Sequence, residues 1–262
     1  MKKYWIIFKN SLQTAMAYRF NAFVFLFSEL LSLVVVIYLW LSIYKQGNTI
    51  AGYSLRALII YYIFAKFITL TIKSLDQARI IGDQIRHGEL NGNLLKPINY
   101  LFEKFFSSLG QISFRIIIYI IIALFVYLLG FDIFSSAPAF IYFILSFILA
   151  IIINFLIYYI IGVSVFYFGY IVGFNFIMMG IISFFSGNLI PLDILPSWLY
   201  GFARYLPFQY IDFIPISIAT GRLPIENISR ILFIGLIWAV ILYIFSFFIY
   251  KIGVKKYEAF SV

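Results

Sequence analysis

The sequence predicts an all-α membrane protein of six transmembrane helices. An interfacial amphipathic helix precedes them, a cytoplasmic helix follows the second span, and an outward re-entrant helical hairpin precedes the last. Three observations carry that reading. Hydrophobic residues make up 64% of the 262 positions and charged residues only 11%, with a mean hydropathy of +1.04, which is more apolar surface than one soluble core could bury. The apolar residues are gathered into runs of about 17 to 25, the length that crosses a bilayer as a helix. Five of the seven prolines fall within residues 186–224, where fixed φ and missing amide donors permit only short helical pieces between turns.

The first 19 residues carry the amphipathic helix. Over residues 4–16 a helical wheel puts Tyr4, Trp5, Phe8, Leu12, Ala15 and Met16 on one face and Lys2, Lys9 and Gln13 opposite. Such a helix lies in the interface with its basic side toward headgroups or a partner. The small residues Ala15 and Ala17 resemble a signal-peptide cleavage site, but Lys9 cuts the preceding apolar stretch too short, so no cleavage is expected.

The six spans are read at residues 20–44, 55–75, 107–131, 139–168, 171–187 and 228–251. The fourth and fifth are nearly continuous and require a tight turn at Gly169 and Tyr170. Gly169 and Gly173 also form a G-x-x-x-G, and the turn is preferred to a packing motif because it leaves each flanking helix about long enough to span. Lys2, Lys3, Lys9, Arg19, Lys73, Arg79, Arg86, Lys96, Lys104, Lys251, Lys255 and Lys256 fall on one side. Only Lys45, Arg56, Arg204, Arg222 and Arg230 fall on the other. The positive-inside rule then puts both termini in the cytoplasm and the hairpin, residues 188–227, outside. The whole chain, 1–262, reads as one transmembrane domain with a cytoplasmic tail at 252–262.

Residues 76–104 are the only long polar stretch on the inner side. Asp76, Arg79, Asp83 and Arg86 recur there at helical spacing, Arg79 and Asp83 as an i,i+4 pair, and Gly88 is placed to end the helix. A docking element and a solvated linker both fit this pattern. The formal charge of +9 is spread between apolar runs, which excludes a nucleic-acid surface and suits anionic lipid instead.

Catalytic chemistry is missing. The sole histidine, His87, ends the inner helix without a second ligand. There is no cysteine and no G-x-x-x-x-G-K-[ST], and Ser186 has no base nearby. No catalytic, metal or cofactor site is expected in this chain. An enzyme acting on lipid would have to draw on Asp193 and Asp212 in the hairpin as acid and base. The intramembrane charges are more informative, because each costs about 2.5 to 3.5 kcal/mol at a helix centre. Glu29 and Lys66 each lie nine residues from the cytoplasmic ends of antiparallel spans, at a depth of about 13 to 14 Å, so they are expected to meet. They read either as a structural ion pair or as the coupling site of an ion-driven secondary transporter. Arg115, near the inner end of the third span, can snorkel.

Two segments resemble a known family. The stretch SGNLIPLDILPSWLYGFARYLP, with Gly187, Pro191, Pro196, Trp198, Leu199 and Pro207, and the inner stretch GELNGNLLKPINYL, Gly88 to Leu101, are similar to signatures of type 2 ATP-binding-cassette (ABC-2 type) exporter permeases. They resemble in particular the small six-span subunits that usually work as two different chains, and the order of elements resembles that family along the whole chain. The resemblance implies a bacterial-type plasma membrane, a second permease, and separate ATPase subunits that bind ATP and Mg. It implies that those subunits grip Asp76, Arg79, Asp83, Arg86 and His87 together with the N-terminal helix. It implies too that the hairpin is an extracellular gate, and that Phe23, Phe27, Phe64 and Phe176 are candidates for the substrate path. The cargo class stays open, with hydrophobic small molecules ahead of peptide, lipid and polysaccharide.

Overall fold

The computed structural model describes residues 2–45, 50–72, 75–128 and 136–260, and these are helical apart from turns and one isolated bridge between Ile50 and Tyr53. Helix α1 spans Lys2–Ala17, α2 Arg19–Tyr44, α3 Leu55–Ile72, α4 Leu75–Arg86, α5 Leu90–Leu94 and α6 Tyr100–Leu128. After these come α7 at Ala137–Val163, α8 at Val165–Phe168, α9 at Val172–Phe185, α10 at Ser197–Ala203, α11 at Phe213–Ala219 and α12 at Ile225–Phe260.

Among the described residues, four helical stretches are long and apolar enough to cross a membrane: Arg19–Tyr44, Leu55–Arg86, Pro138–Phe168 and Ile225–Tyr257. They coincide with the expected first, second, fourth and sixth spans. Helix α6 covers the third over 29 residues, and residues 129–131 of that expected span lie outside the described residues. The fifth differs. Helix α9 has 14 residues, about 21 Å at 1.5 Å per residue, short of a hydrocarbon core of about 30 Å. It is closed at one end by the Gly169 turn and at the other by Gly187, both at positive φ.

The core is built around α7. A helix that is apolar all round belongs inside a bundle, and α7 buries Ile153, Phe155, Tyr158, Tyr159 and Ile161 against α12, α4 and α11. Its start is fixed by Ser136, whose hydroxyl accepts from the Ala139 amide at 3.3 Å, with Pro138 in the first turn. Helix α2 is the opposite case: of its described side chains only Trp40 is buried, and its chief partner within the chain is α3.

The N-terminal helix lies along α6. Gly110 makes this possible, since a Cβ there would stand 2.5 Å from the Phe8 carbonyl oxygen. Tyr4 stacks on Phe106, and the Ser11 and Ser107 hydroxyls meet at 2.9 Å. The half-buried face is therefore Tyr4, Ile7, Phe8, Ser11, Leu12 and Ala15, while Trp5 and Met16, expected on it, stay exposed. Hydrophobicity ranked the face by side chain; the close crossing at Gly110 instead selects small Ser11. The turn at Gly169 is present, with φ +69 and its amide donating to the Val165 carbonyl at 2.8 Å. A Cβ on Gly173 would meet nothing within 4 Å, so this pair of glycines is no helix-packing site here.

Candidate functional site

Three groups of residues are spread along the chain, at α4, between α2 and α3, and in the proline-punctuated segment. In the first group, α4 buries Ala78, Ile81 and Ile85 against the bundle. Gly162 of α7 permits this close approach, because a Cβ there would lie 2.8 Å from Ile81. Arg79, Asp83 and Arg86 are left on the outer face of α4, where they line a cavity of about 320 Å³ together with Gly169, Tyr170 and Phe176. The Arg86 guanidinium sits 5.0 Å from the centre of the Tyr170 ring. His87 continues the helix by one residue, its amide and Nδ1 each 2.9 Å from the Asp83 carbonyl oxygen, and Gly88 ends it at φ +79. Asp76 belongs to α4, but its side chain lies outside the described residues.

Within the expected membrane region, the Lys66 ammonium donates to the Glu29 carboxylate at 2.8 Å and to the Ser32 hydroxyl at 2.8 Å. The structure thus brings together the two intramembrane charges that sequence depth alone had matched. The four phenylalanines are not gathered in this way. Phe64 is buried and meets Phe143 edge-on at 5.8 Å, Phe23 and Phe27 are exposed on α2, and Phe176 lines the inner cavity beside α4.

In the third group, the proline-punctuated segment folds as two 3-10 turns, Leu192–Ile194 and Pro207–Tyr210, alternating with α10 and α11. Pro191 and Pro207 are buried, Leu199 is half-buried, and Pro196 and Trp198 are exposed. Every residue of α11 is buried, so the second half of the segment packs back into the bundle and is not an exposed loop. Gly187 begins the segment at φ +86, and a Cβ there would stand 2.8 Å from the Tyr61 hydroxyl oxygen. The same hydroxyl donates to the Gly187 carbonyl at 2.7 Å, Tyr62 donates to the Leu189 carbonyl at 2.8 Å, and the Asn188 amide meets Thr69 Oγ1 at 2.6 Å. Three consecutive positions of the segment are therefore held by one face of α3.

A second tie joins the segment to the turn between α2 and α3. Arg222 pairs with Asp193 at 2.9 Å, lies 3.5 Å over the Tyr53 ring and donates to the Ala51 carbonyl at 3.3 Å. The Tyr53 hydroxyl donates to both oxygens of Asp193, at 3.0 and 3.1 Å. Burial, reinforced by the Asp193 charge, pushes the Tyr53 phenol far above its ordinary value and keeps it a proton donor. Asp193 is thereby committed to this tie. Asp212 stands elsewhere, at the start of α11, lining a cavity of about 20 Å³ with Thr69, Asn154 and Asn188. That volume holds about one water. The two aspartates do not form an acid–base pair in a common cleft.

Sequence reasoning missed Tyr53, Tyr61, Tyr62, Thr69, Asn188 and Arg222. The opposite charges of Asp193 and Arg222 on one predicted face were a usable signal. The tyrosines of α3 were not, because an interfacial aromatic belt has the same composition.

No curated protein matches the chain. The family model describing the ABC-2 family transporter proteins matches residues 30–261, which include Lys66, α4 and the whole proline-punctuated segment, and the chain belongs to that family.

Proposed function

We propose that this chain is the permease subunit of an ATP-driven exporter in a bacterial-type plasma membrane, crossing it six times with both termini in the cytoplasm. A second permease completes the substrate pathway, and separate nucleotide-binding subunits supply ATP and Mg. The observation that carries the proposal is the form of α4. Its apolar face is locked to α7 through Gly162, while Arg79, Asp83 and Arg86 stay exposed along the cavity between α4 and α9. A force on that face is passed to α7, the helix around which the core is built, which is what coupling to a partner motor needs. Coupling then requires only that ATP favour one of two packings of the helices.

The exposed apolar surface of α2, including Phe23 and Phe27, suits the contact with the second permease and a share of the pathway. The hairpin, fastened to α3 by Gly187 to Leu189, serves as the outer gate. The family membership gives no support to an ion-coupled carrier, and the Lys66–Glu29 pair acts as a structural tie between α2 and α3.

The test is the double substitution Arg79→Glu and Arg86→Glu in the tagged chain. It reverses two exposed charges, so membrane insertion should be kept, with a thermal midpoint lowered at most by the lost Arg86–Tyr170 contact, while recovery of the ATPase subunit falls at least tenfold. Undiminished recovery of the ATPase would mean that α4 is a linker and not the docking element.

A further inference from the structure

Between the outer segment and α12 lies a cavity of about 630 Å³, and no carboxylate lines it. The volume falls within the range of about 300 to 1,000 Å³ usual for small-molecule sites. Its mouth holds two exposed cations, Arg204 and Arg230. Arg204 leans on the Tyr200 ring at 5.6 Å, and its backbone carbonyl accepts from Gln209 Nε2 at 2.6 Å, which fixes the turn that carries it. Glu226, one helical turn before Arg230, is the nearest acid on α12 and does not line the cavity. From Arg230 the wall continues down α12 through Ile231, Ile234, Trp238 and Ile241. The 11 residue steps from Arg230 to Ile241 rise about 16 Å, close to the hydrocarbon depth of one leaflet, about 15 Å. Beside the mouth, Trp198, Phe202 and Tyr205 are exposed, Tyr205 by 79%, as in the aromatic belts found at headgroup level.

The geometry points to a binding site for an anionic phospholipid of the leaflet bordering the hairpin. The two guanidiniums hold the phosphate, and an acyl chain lies along α12. Guanidinium matches phosphate in charge and in its forked donor geometry. The uncharged wall below is one leaflet deep, which a soluble anion has no use for. Gly235 keeps this wall in place: a Cβ there would lie 2.5 Å from Leu149 and 2.8 Å from Tyr210, so α12 is pinned to both α7 and the outer segment. A lipid seated here bridges the hairpin and the last span, and it does so whether or not an ATPase drives the complex.

The experiment uses the intact complex that co-purifies with the tagged chain, with dioleoylphosphatidylglycerol and dioleoylphosphatidylcholine as competing probes and native mass spectrometry as the readout. Preferential retention of the anionic lipid is expected. Arg204→Gln with Arg230→Gln should weaken it about tenfold, and Arg204→Lys with Arg230→Lys should keep most of it. Gly201→Phe should exclude both lipids, since a Cβ at Gly201 points into open space and the larger ring needs no backbone shift. Equal retention of phosphatidylglycerol by wild type, the glutamine pair and Gly201→Phe overturns the proposal. So does displacement of the lipid by inorganic phosphate at the concentration at which short-chain phosphatidylglycerol displaces it. A photo-crosslinker at Tyr205 that captures a protein subunit in place of lipid also overturns it. Recovery of the ATPase, scored in the same samples, reports separately on the coupling role of α4.

Discussion

Glu29 and Lys66 face each other with 16% and 18% of their side chains exposed, so each charge depends on the other more than on water. Removing one partner strands a charge where solvation is poor. Glu29→Ala should lower stability by about 1 to 3 kcal/mol, read as an earlier thermal unfolding midpoint in detergent. Adding Lys66→Met to that variant should recover most of the loss, because the stranded ammonium is then gone; a double variant no better than the single would show that the pair is not what ties α2 to α3. Gly187 is the second such position. Its φ of +86 and the 2.8 Å approach of Tyr61 to a would-be Cβ put the cost of Gly187→Ala at about 1 to 3 kcal/mol. Tyr61→Phe should cost about the same, through the lost donor to the Gly187 carbonyl. The ion pair was legible in the sequence because helix rise converts residue offset into depth. The Tyr61 contact was not, because a tyrosine at a predicted span end gives no sign of which carbonyl it meets.

Among the elements, the hairpin is held by two separate ties, one to α3 and one to the α2–α3 turn. Arg222, Asp193 and Tyr53 tie it to the α2–α3 turn with some exposure left on each charge, 28% for Arg222 and 22% for Asp193, so water screens part of this tie. Arg222→Ala should speed amide hydrogen exchange across residues 188–206 while leaving α7 protected. The swapped pair Asp193→Arg with Arg222→Asp should return exchange toward wild type. Unaltered exchange in Arg222→Ala would mean that the contacts to α3 suffice without this tie. The prolines told the reader that this segment is broken into short pieces, and it is. They could not tell that α11 would be wholly buried, since that depends on a pocket assembled from α3 and α7, distant in sequence. Helix α9 taught a similar lesson. Its hydropathy suggested a full span at 171–187, whereas two positive-φ glycines limit the helix to Val172–Phe185, and backbone conformation of that kind leaves no mark in an apolar average.

For the whole molecule, the sequence was most legible where physics is least ambiguous. Long apolar runs became long helices, and the charged inner segment became a short helix with an exposed charged face. The sequence matches one transporter family over residues 30–261. Lateral arrangement was less legible, because which face of α1 meets α6 was set by a glycine on the partner helix. The exposed apolar length of α2 and the exposed charges of α4 are the two surfaces on which the proposed contacts with other chains rest. The most direct measurement is affinity recovery of the tagged chain from its native membrane in mild detergent, with co-purifying proteins identified and ATP hydrolysis assayed. The account predicts recovery of a P-loop ATPase and a second permease, with hydrolysis that is lost when the ATPase is absent. Recovery of the chain alone, with no ATPase and no hydrolysis, would contradict it.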